Sequence, residues 1–407
     1  MREARLVTLT RESEEFLEDL ADELSVPVSR YEQADRSYKS LGDWLHREHS
    51  TVREYGPQVY VQGSFRLGTT IRPLTEMEEY DIDSVCELTK ISKSHLSQQD
   101  LKEMLGEEIK SYHDAQNMIK PVREGRRCWV LDYADGAQFH MDIVPALPNA
   151  QSVRLFLEQR GYDARWTQTA IAITDNEVPT YPLVTDHWPH SNPKGYADWF
   201  RSRTAVILER RKRKLAERIH ASVEEIPDYK VRTPLQAAVM ILKRHRDETF
   251  KDRSEVRPIS VIVTTLAAHA YNGEETTGQA LVSILSGMDE YIANVGGRHW
   301  IANPTDPLEN FADKWEKHPE RADAFFEWLT QARHDFVQAA RASDRVVIAE
   351  AVGQGVGKAV AERARQRRQS PIRSPLLKTA SVAPAAGGFS FPDKERAPSK
   401  PQGFGAP

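Results

Sequence analysis

The sequence contains little cysteine and no long uninterrupted apolar segment. Its two cysteines, Cys86 and Cys128, are too few for a disulfide framework, and both fall in predicted buried strands. We interpret them as small apolar side chains in a reducing cytosol rather than as disulfide partners or metal ligands. No apolar run approaches the length that a bilayer requires, and the N-terminus, MREARLVTLTRESEEFLEDL, lacks the apolar core of a signal peptide. These absences predict a cytoplasmic protein with no membrane partner.

A strong excess of one charge is also missing. Charged residues make up 28% of the chain and the net charge is −5, so the whole protein does not resemble a general nucleic-acid binder. A length of 407 residues is sufficient for two closely joined domains and a tail. From residue 367 onward, Pro, Ser, Ala and Gly dominate and apolar periodicity disappears, which predicts a disordered tail over residues 367–407.

The stretch Gln62–Leu88 carries the first chemical signal. A Gly-Ser pair precedes a predicted strand that contains Asp81 and Asp83. Alternate residues of a strand point to the same face, so both carboxylates project together, whereas the other face takes Ile82, Ser84, Cys86 and Leu88. Two crowded carboxylates repel each other unless a cation lies between them, and oxygen ligands near a triphosphate favour Mg²⁺.

A third carboxylate follows on a later strand. Asp142 lies at the centre of the apolar segment Phe139–Val144, which returns antiparallel after the turn-forming sequence DYADG at residues 132–136. This strand can therefore lie beside the first, and three carboxylates can hold two metal ions. We predict that Asp81, Asp83 and Asp142 are catalytic residues and ligands of Mg²⁺ or Mn²⁺. A surface strand with solvated aspartates is the alternative, but it does not explain the apolar, β-prone flanks.

Phosphate-binding candidates occur in two places. Gly63 lets the backbone approach a phosphate closely, and the Ser64 hydroxyl can donate to phosphate oxygens. Lys243, late in a helix that begins at Thr233, and Ser260, at the start of the next helix, can meet and bind a triphosphate. The alternative for this pair is a surface lysine and a helix-capping serine.

The motifs together resemble the bacterial cyclic GMP-AMP synthase-like nucleotidyltransferases, or CD-NTases, within the polymerase-β-like superfamily. The strings that carry the resemblance are QGSFRLGTT at 62–70, YDIDS at 80–84, HMDIVP at 140–145, SNPKGYADWF at 191–200, TPLQAAVMILKRHRD at 233–247, the helix at 258–271 and NPTDPLENFADKW at 303–315. They extend over most of the predicted folded part. Several occur in the helical half, which argues against a distant polymerase-β relative.

The resemblance implies an α+β fold: a nucleotidyltransferase lobe with a mixed or antiparallel sheet, and an all-helical lobe across the active site. We place the catalytic lobe with its N-terminal helices at residues 1–200 and the helical lobe at 201–366. The resemblance also implies that nucleoside triphosphates act as both donor and acceptor. Gln62, Gly63, Ser64, Lys243 and Ser260 would then bind nucleotide.

The activity implied by the resemblance is synthesis of a cyclic di- or trinucleotide second messenger for anti-phage defence, with release of pyrophosphate and no requirement for nucleic acid. Some members of the family are conjugated at the C-terminus by ubiquitin-like machinery. The ending Gly405-Ala406-Pro407 departs from that pattern, because a terminal proline is an awkward acyl donor.

Two other classes of protein remain open at this stage. One is a nucleotidyltransferase that modifies RNA, such as a tRNA- or poly(A)-adding enzyme, or a toxin. The sequence feature that supports this class is the basic segment Arg210–Lys214, which could contact nucleic acid. The alternative interpretation of this segment is a solvated helix face. The other is a catalytically inactive binding module, which has no need to keep three carboxylates. The sequence does not predict the bases, the ring size or the linkage.

Overall fold

The computed structural model describes residues 9–74, 80–133, 139–219, 222–223, 226 and 231–368. The helices are α1 (Arg11–Leu24), α2 (Val28–Leu45), α3 (Gly63–Leu67), α4 (Gln98–Ala115), α5 (Ala150–Glu158), α6 (Pro193–Ile219), α7 (Pro234–Thr249), α8 (Ser260–Ala270), α9 (Thr277–Gly287), α10 (Pro319–Arg341), α11 (Arg345–Val356) and α12 (Lys358–Gln366). The strands are β1 (Pro57–Val61), β2 (Tyr80–Leu88), β3 (Arg123–Glu124), β4 (Trp129–Tyr133), β5 (Phe139–Pro148), β6 (Ile171–Ile173), β7 (His190–Ser191), β8 (Ala293–Val295), β9 (Arg298–Trp300), β10 (Ala302–Asn303) and β11 (Asp306–Asn310).

The larger sheet places the two aspartate-bearing strands next to each other. Its order is β1-β2-β5-β4-β3, and β6 and β7 extend it from β5. β2 and β5 are parallel, whereas β1 pairs with β2, and β4 and β6 pair with β5, in the antiparallel sense. The sheet is therefore mixed, which is one of the two predicted arrangements. Most of the predicted turn between β4 and β5 lies outside the described residues.

The two faces of β2 differ as the alternation predicts. Ile82, Ser84, Cys86 and Leu88 are fully buried, and the apolar members of this set pack with residues of α2 and α4. The opposite face carries Asp81 and Asp83. Cys86 is a buried free thiol, as predicted, but Cys128 precedes β4 and is only half-buried.

A second apolar core lies among the helices. Leu235, Val239 and Leu242 of α7 pack with residues of α8 through α12. The helix α7 begins at Thr233, whose side chain accepts from the Gln236 backbone while the Gln236 side chain accepts from the Thr233 backbone. These helices confirm the predicted helical lobe, but it is not all-helical as predicted, because β8 pairs with β9 and β10 pairs with β11 in two small sheets between α9 and α10.

The N-terminal helix α1 corrects one part of the predicted organisation. The prediction placed both N-terminal helices with the sheet, and α2 does pack there. In contrast, Phe16 and Leu20 of α1 are buried within the helical core. The predicted boundary at residue 200 falls within α6, so one helix runs from one predicted unit into the other.

The predicted tail lies outside the described residues except for Arg367 and Arg368. Among the helices that the structure describes, none is long and apolar enough to cross a bilayer.

Candidate active site

Four side chains converge on one face of the central strand pair. In the parallel register, Asp81 lies opposite His140 and Asp83 lies opposite Asp142. Partners in adjacent strands point to the same face, so the register brings the three predicted carboxylates together. Single ligand atoms of Asp81, His140 and Asp142 lie within 4.8 Å of one another, which is a separation that one metal ion can bridge.

The electrostatics of this cluster fit a cation site. Burial, reinforced by the charges of Asp81 and Asp142, raises the pKa of Asp83 to about 7. Burial and Asp81 also raise the pKa of Asp142. The Oδ1 atom of Asp142 is buried and has no hydrogen-bond partner among the described residues. A divalent ion would relieve the repulsion and satisfy this oxygen.

His140 belongs to the site although the sequence analysis did not select it. Its Nε2 atom lies 3.3 Å from Asp81 Oδ1, and the hydrogen bond with Asp81 raises the pKa of the imidazole. Its position two residues before Asp142 on a strand was the available signal, because that spacing places both side chains on one face. The carboxylates suit Mg²⁺ and Mn²⁺, whereas an imidazole suits softer divalent ions such as Zn²⁺.

The Gly63–Ser64 turn lies directly against the carboxylates. The Gln62 backbone N–H donates to the Asp83 carbonyl at 2.8 Å. Gly63 has a φ of +60°, and a Cβ at this position would lie 2.2 Å from Asp83 Oδ2. Glycine is therefore required for two reasons, the left-handed backbone and the close approach of the carboxylate. Ser64 Oγ accepts from Thr70 Oγ1 at 3.0 Å.

Lys243 and Ser260 are held by different neighbours. Lys243 Nζ donates to the Thr69 carbonyl at 3.0 Å, and burial, with a contribution from Arg246, lowers the pKa of this lysine to about 8. Ser260, the first residue of α8, accepts from Arg246 Nη1 at 2.8 Å. Arg246 therefore belongs beside Lys243 and Ser260, although the sequence analysis did not select it.

All five predicted nucleotide-binding residues line one cavity of about 650 Å³. Asp81 and Asp83 line it as well, and Asp142 adjoins Asp83 across the strand pair. The cavity lies between the carboxylate face of the sheet and the helical lobe. Further lining residues that the sequence analysis did not select include Thr69, Tyr196, Arg257, Asn303, Glu309 and Phe311. Most of them lie within the strings that carried the family resemblance.

Comparison with known sequences agrees with this geometry. Residues 57–145 match the family model described as cyclic GMP-AMP synthase DncV-like, nucleotidyltransferase domain. A protein from Roseivirga ehrenbergii named c-di-GMP synthase is 26% identical over 336 residues, which cover 81% of this chain and 80% of that protein. A protein from Bradyrhizobium diazoefficiens named cyclic dinucleotide synthase CdnG is 25% identical over 352 residues, covering 81% and 76% respectively.

Solved structures have a similar fold. The structure of Bradyrhizobium diazoefficiens CdnG in complex with GTP has a TM-score of 0.65 and 21% identity, and the match covers 88% of this chain and 99% of that one. A complex of CdnC with HORMA-deltaN from E. coli MS115-1 has a TM-score of 0.55 and 15% identity, covering 84% and 95%. These structures confirm the predicted fold, and the predicted resemblance to the family agrees with the family-model match over residues 57–145.

Proposed function

We propose that this cyclic GMP-AMP synthase-like nucleotidyltransferase joins nucleoside triphosphates into a cyclic dinucleotide and releases pyrophosphate. The observation that carries the proposal is one cavity in which a carboxylate face adjoins the Gly63–Ser64 turn. That combination places a metal-binding face beside a phosphate-binding turn, as nucleotidyl transfer requires. The names of the two sequence relatives support a cyclic dinucleotide as the product.

The metal is proposed to be Mg²⁺ or Mn²⁺. Asp81, Asp83 and Asp142 would hold it, with His140 as an additional nitrogen donor. The raised pKa of Asp83 and the unpartnered Asp142 oxygen support this assignment. When bound, the ions would supply positive charge to the α-phosphate and lower the pKa of the attacking hydroxyl.

The chain's own residues perform the remaining tasks. The Gly63–Ser64 turn and Lys243 orient the donor triphosphate, and Arg246 fixes the Ser260 hydroxyl toward the same cavity. Asp142 accepts the proton of an acceptor ribose hydroxyl. The hydroxyl oxygen then bonds to the α-phosphorus of the donor, and the bond to pyrophosphate breaks as that group leaves with its electron pair. A second transfer within the linear product closes the ring.

The basic segment Arg210–Lys214 gives little support to an RNA-modifying enzyme. Arg210 pairs with Glu275. Arg211 donates to the Arg232 carbonyl at 2.7 Å and lies 3.5 Å from Glu18. These arginines are engaged by neighbouring elements of the fold, which reduces their capacity to contact phosphates of an RNA.

The test is product analysis by mass spectrometry after incubation with all four ribonucleoside triphosphates and Mg²⁺ or Mn²⁺, with and without tRNA. We expect a cyclic dinucleotide and pyrophosphate without RNA. Asp142→Asn should lower the rate by about three orders of magnitude or more, because the metal ions and the proton acceptor are both affected. Labelling of tRNA with no cyclic product would favour the RNA-modifying alternative.

Conjugation of the C-terminus remains a separate proposal. The terminal residues lie outside the described part of the chain, and the sequence ends in proline. We propose that ubiquitin-like machinery, if encoded beside this protein, modifies the tail in the cytoplasm. Intact-mass analysis after co-expression with neighbouring genes tests this, and an unmodified mass under those conditions would contradict it.

A further inference from the structure

A chain of hydroxyl groups extends from helix α2 to the Gly63–Ser64 turn. Thr70 Oγ1 donates to Ser64 Oγ at 3.0 Å, and the Tyr31 hydroxyl is hydrogen-bonded to the side chain of the same threonine. Tyr31 belongs to α2, Ser64 belongs to α3, and Thr70 lies in the segment that follows α3. Ser64 and Thr70 line the cavity, and Tyr31 packs against the apolar core of the sheet.

The direction of this chain follows from the number of protons that it contains. A hydroxyl group donates one hydrogen bond and accepts through two lone pairs. Burial raises the pKa of Tyr31 to about 12, so its hydroxyl stays protonated and can donate to Thr70. Thr70 in turn gives its single proton to Ser64. The Ser64 oxygen is then already an acceptor, and its own proton is left for a group in the cavity.

Packing and backbone bonds hold the three hydroxyl groups in this order. The ring of Tyr31 packs edge-on against Phe65, with ring centroids 5.0 Å apart. The backbone N–H of Thr69 donates to the Ser64 carbonyl at 3.0 Å, which keeps the segment after α3 beside the turn. Thr70 is only 6% exposed. Its side chain therefore has little room to turn away from Ser64.

We infer that Thr70, supported by Tyr31, is a positioning residue that directs the Ser64 proton toward a phosphate oxygen of the bound nucleotide. This role rests on the proposed function, because it requires a triphosphate in the cavity. Phosphate oxygens accept hydrogen bonds, so they need a neighbour whose proton points outward. A serine without such a partner can instead turn its proton to a nearby backbone carbonyl. Thr70 thus acts on the nucleotide through Ser64.

Thr70→Val keeps the shape of the side chain and removes its hydroxyl. We expect KM for the nucleoside triphosphate to rise about three- to tenfold, the effect of one lost hydrogen bond, with kcat within about twofold of the wild type. Thr70→Ser restores the hydroxyl and should recover the wild-type KM. Tyr31→Phe should raise KM by a smaller factor. The matched control is Tyr38→Phe, which should leave KM unchanged, because this tyrosine of α2 donates to Asp35 at 2.6 Å.

A double-mutant cycle separates positioning from a purely structural role. If Thr70 acts through Ser64, adding Thr70→Val to Ser64→Ala should not raise KM above the value for Ser64→Ala alone. A threonine that only stabilises the fold would raise KM by the same factor in both backgrounds. That result would overturn the inference, as would a KM unchanged by Thr70→Val at an unchanged melting temperature.

Binding measured apart from turnover distinguishes this role from the proposed function. Titration calorimetry with α,β-methylene analogues of ATP and GTP should rank the variants as KM does, with Thr70→Val weaker than the wild type and Thr70→Ser equal to it. Absence of any linked product with this ranking intact would overturn the proposed function alone. Equal affinities of the wild type, Thr70→Val and Tyr31→Phe for both analogues would overturn the positioning role.

Discussion

Asp83, a proposed metal ligand, lies in an unfavourable environment for its charged form in the metal-free protein. The folded state raises the pKa of its carboxyl from 3.8 to about 7, with burial as the largest cause. Between those two pH values the folded state binds the proton more tightly than the unfolded state does. Stability contributed by this group is therefore lost as the pH rises from about 4 to 7.

Asp83→Asn should remove this dependence. Because asparagine does not ionise, we expect the metal-free variant to melt about 2–4 °C above the wild type at pH 8 and within about a degree of it at pH 4.5. Differential scanning fluorimetry in the presence of a chelator measures both values. Turnover should fall by three orders of magnitude or more, because a proposed metal ligand is lost. A variant that melts below the wild type at pH 8 would contradict the conclusion that the ionised Asp83 carboxylate destabilises the metal-free fold.

Gly63 allows a prediction that separates backbone strain from steric conflict. Gly63→Ala faces both a φ of +60° and a Cβ position 2.2 Å from Asp83 Oδ2. The matched control is Gly161→Ala, where φ is +75° and no atom lies within 4 Å of the added Cβ. Left-handed backbone alone costs about 1–2 kcal/mol for a residue with a side chain.

We therefore expect urea unfolding to show about 1 kcal/mol lost for Gly161→Ala, and more than about 2 kcal/mol for Gly63→Ala. The Gly63 variant should also lose about 100-fold in turnover, because displacement of Asp83 misaligns the reacting groups. Equal losses of stability in the two variants, with normal turnover of the Gly63 variant, would show that a Cβ at position 63 does not displace Asp83.

At the scale of elements, helix α7 links the helical core to the turn that we propose binds phosphate. Lys243 extends from α7 to the Thr69 carbonyl, beyond the end of α3. Lys243→Met keeps the aliphatic length and removes the donor, so we expect KM for the triphosphate to rise about 10- to 100-fold, since one hydrogen bond from a charged group is lost. Lys251→Met, an exposed lysine that pairs with Glu248 at 3.1 Å, should leave KM unchanged. If steady-state kinetics gave the same KM for Lys243→Met and Lys251→Met, Lys243 would not contribute to triphosphate binding.

The elements also explain what the sequence could and could not predict. Alternation along β2 was sufficient to place Asp81 and Asp83 together, and the capping sequence at Thr233 was sufficient to begin α7. The contact of His140 with Asp81 depends on the parallel register of β2 and β5, which no local spacing encodes. The apolar face of α1 fits either core equally well by composition, so its place among the helices required the tertiary structure.

At the scale of the whole molecule, the end of the described chain returns to its beginning. Arg367 pairs with Glu23 and lies 3.3 Å from Asp22, and Arg368 lies 2.9 Å from Asp19 and 3.2 Å from Glu15. All four carboxylates belong to α1, so two arginines at the end of the described chain hold this helix against the helical core. Arg367 and Arg368, which the prediction assigned to the tail, therefore contact the folded part of the chain.

Two truncations test this boundary. A chain that ends at Arg368 should melt within about one degree of the full-length protein, because the segment removed is rich in Pro, Ser, Ala and Gly and has no apolar periodicity. A chain that ends at Gln366 should melt about 1–3 °C lower, because α1 loses two arginine partners while Arg232, Arg345 and Arg363 still pair with Asp22, Asp19 and Glu23. High salt should reduce the difference, since it screens the lost attraction. Identical melting of the two truncated chains at low salt would show that Arg367 and Arg368 do not help to hold α1.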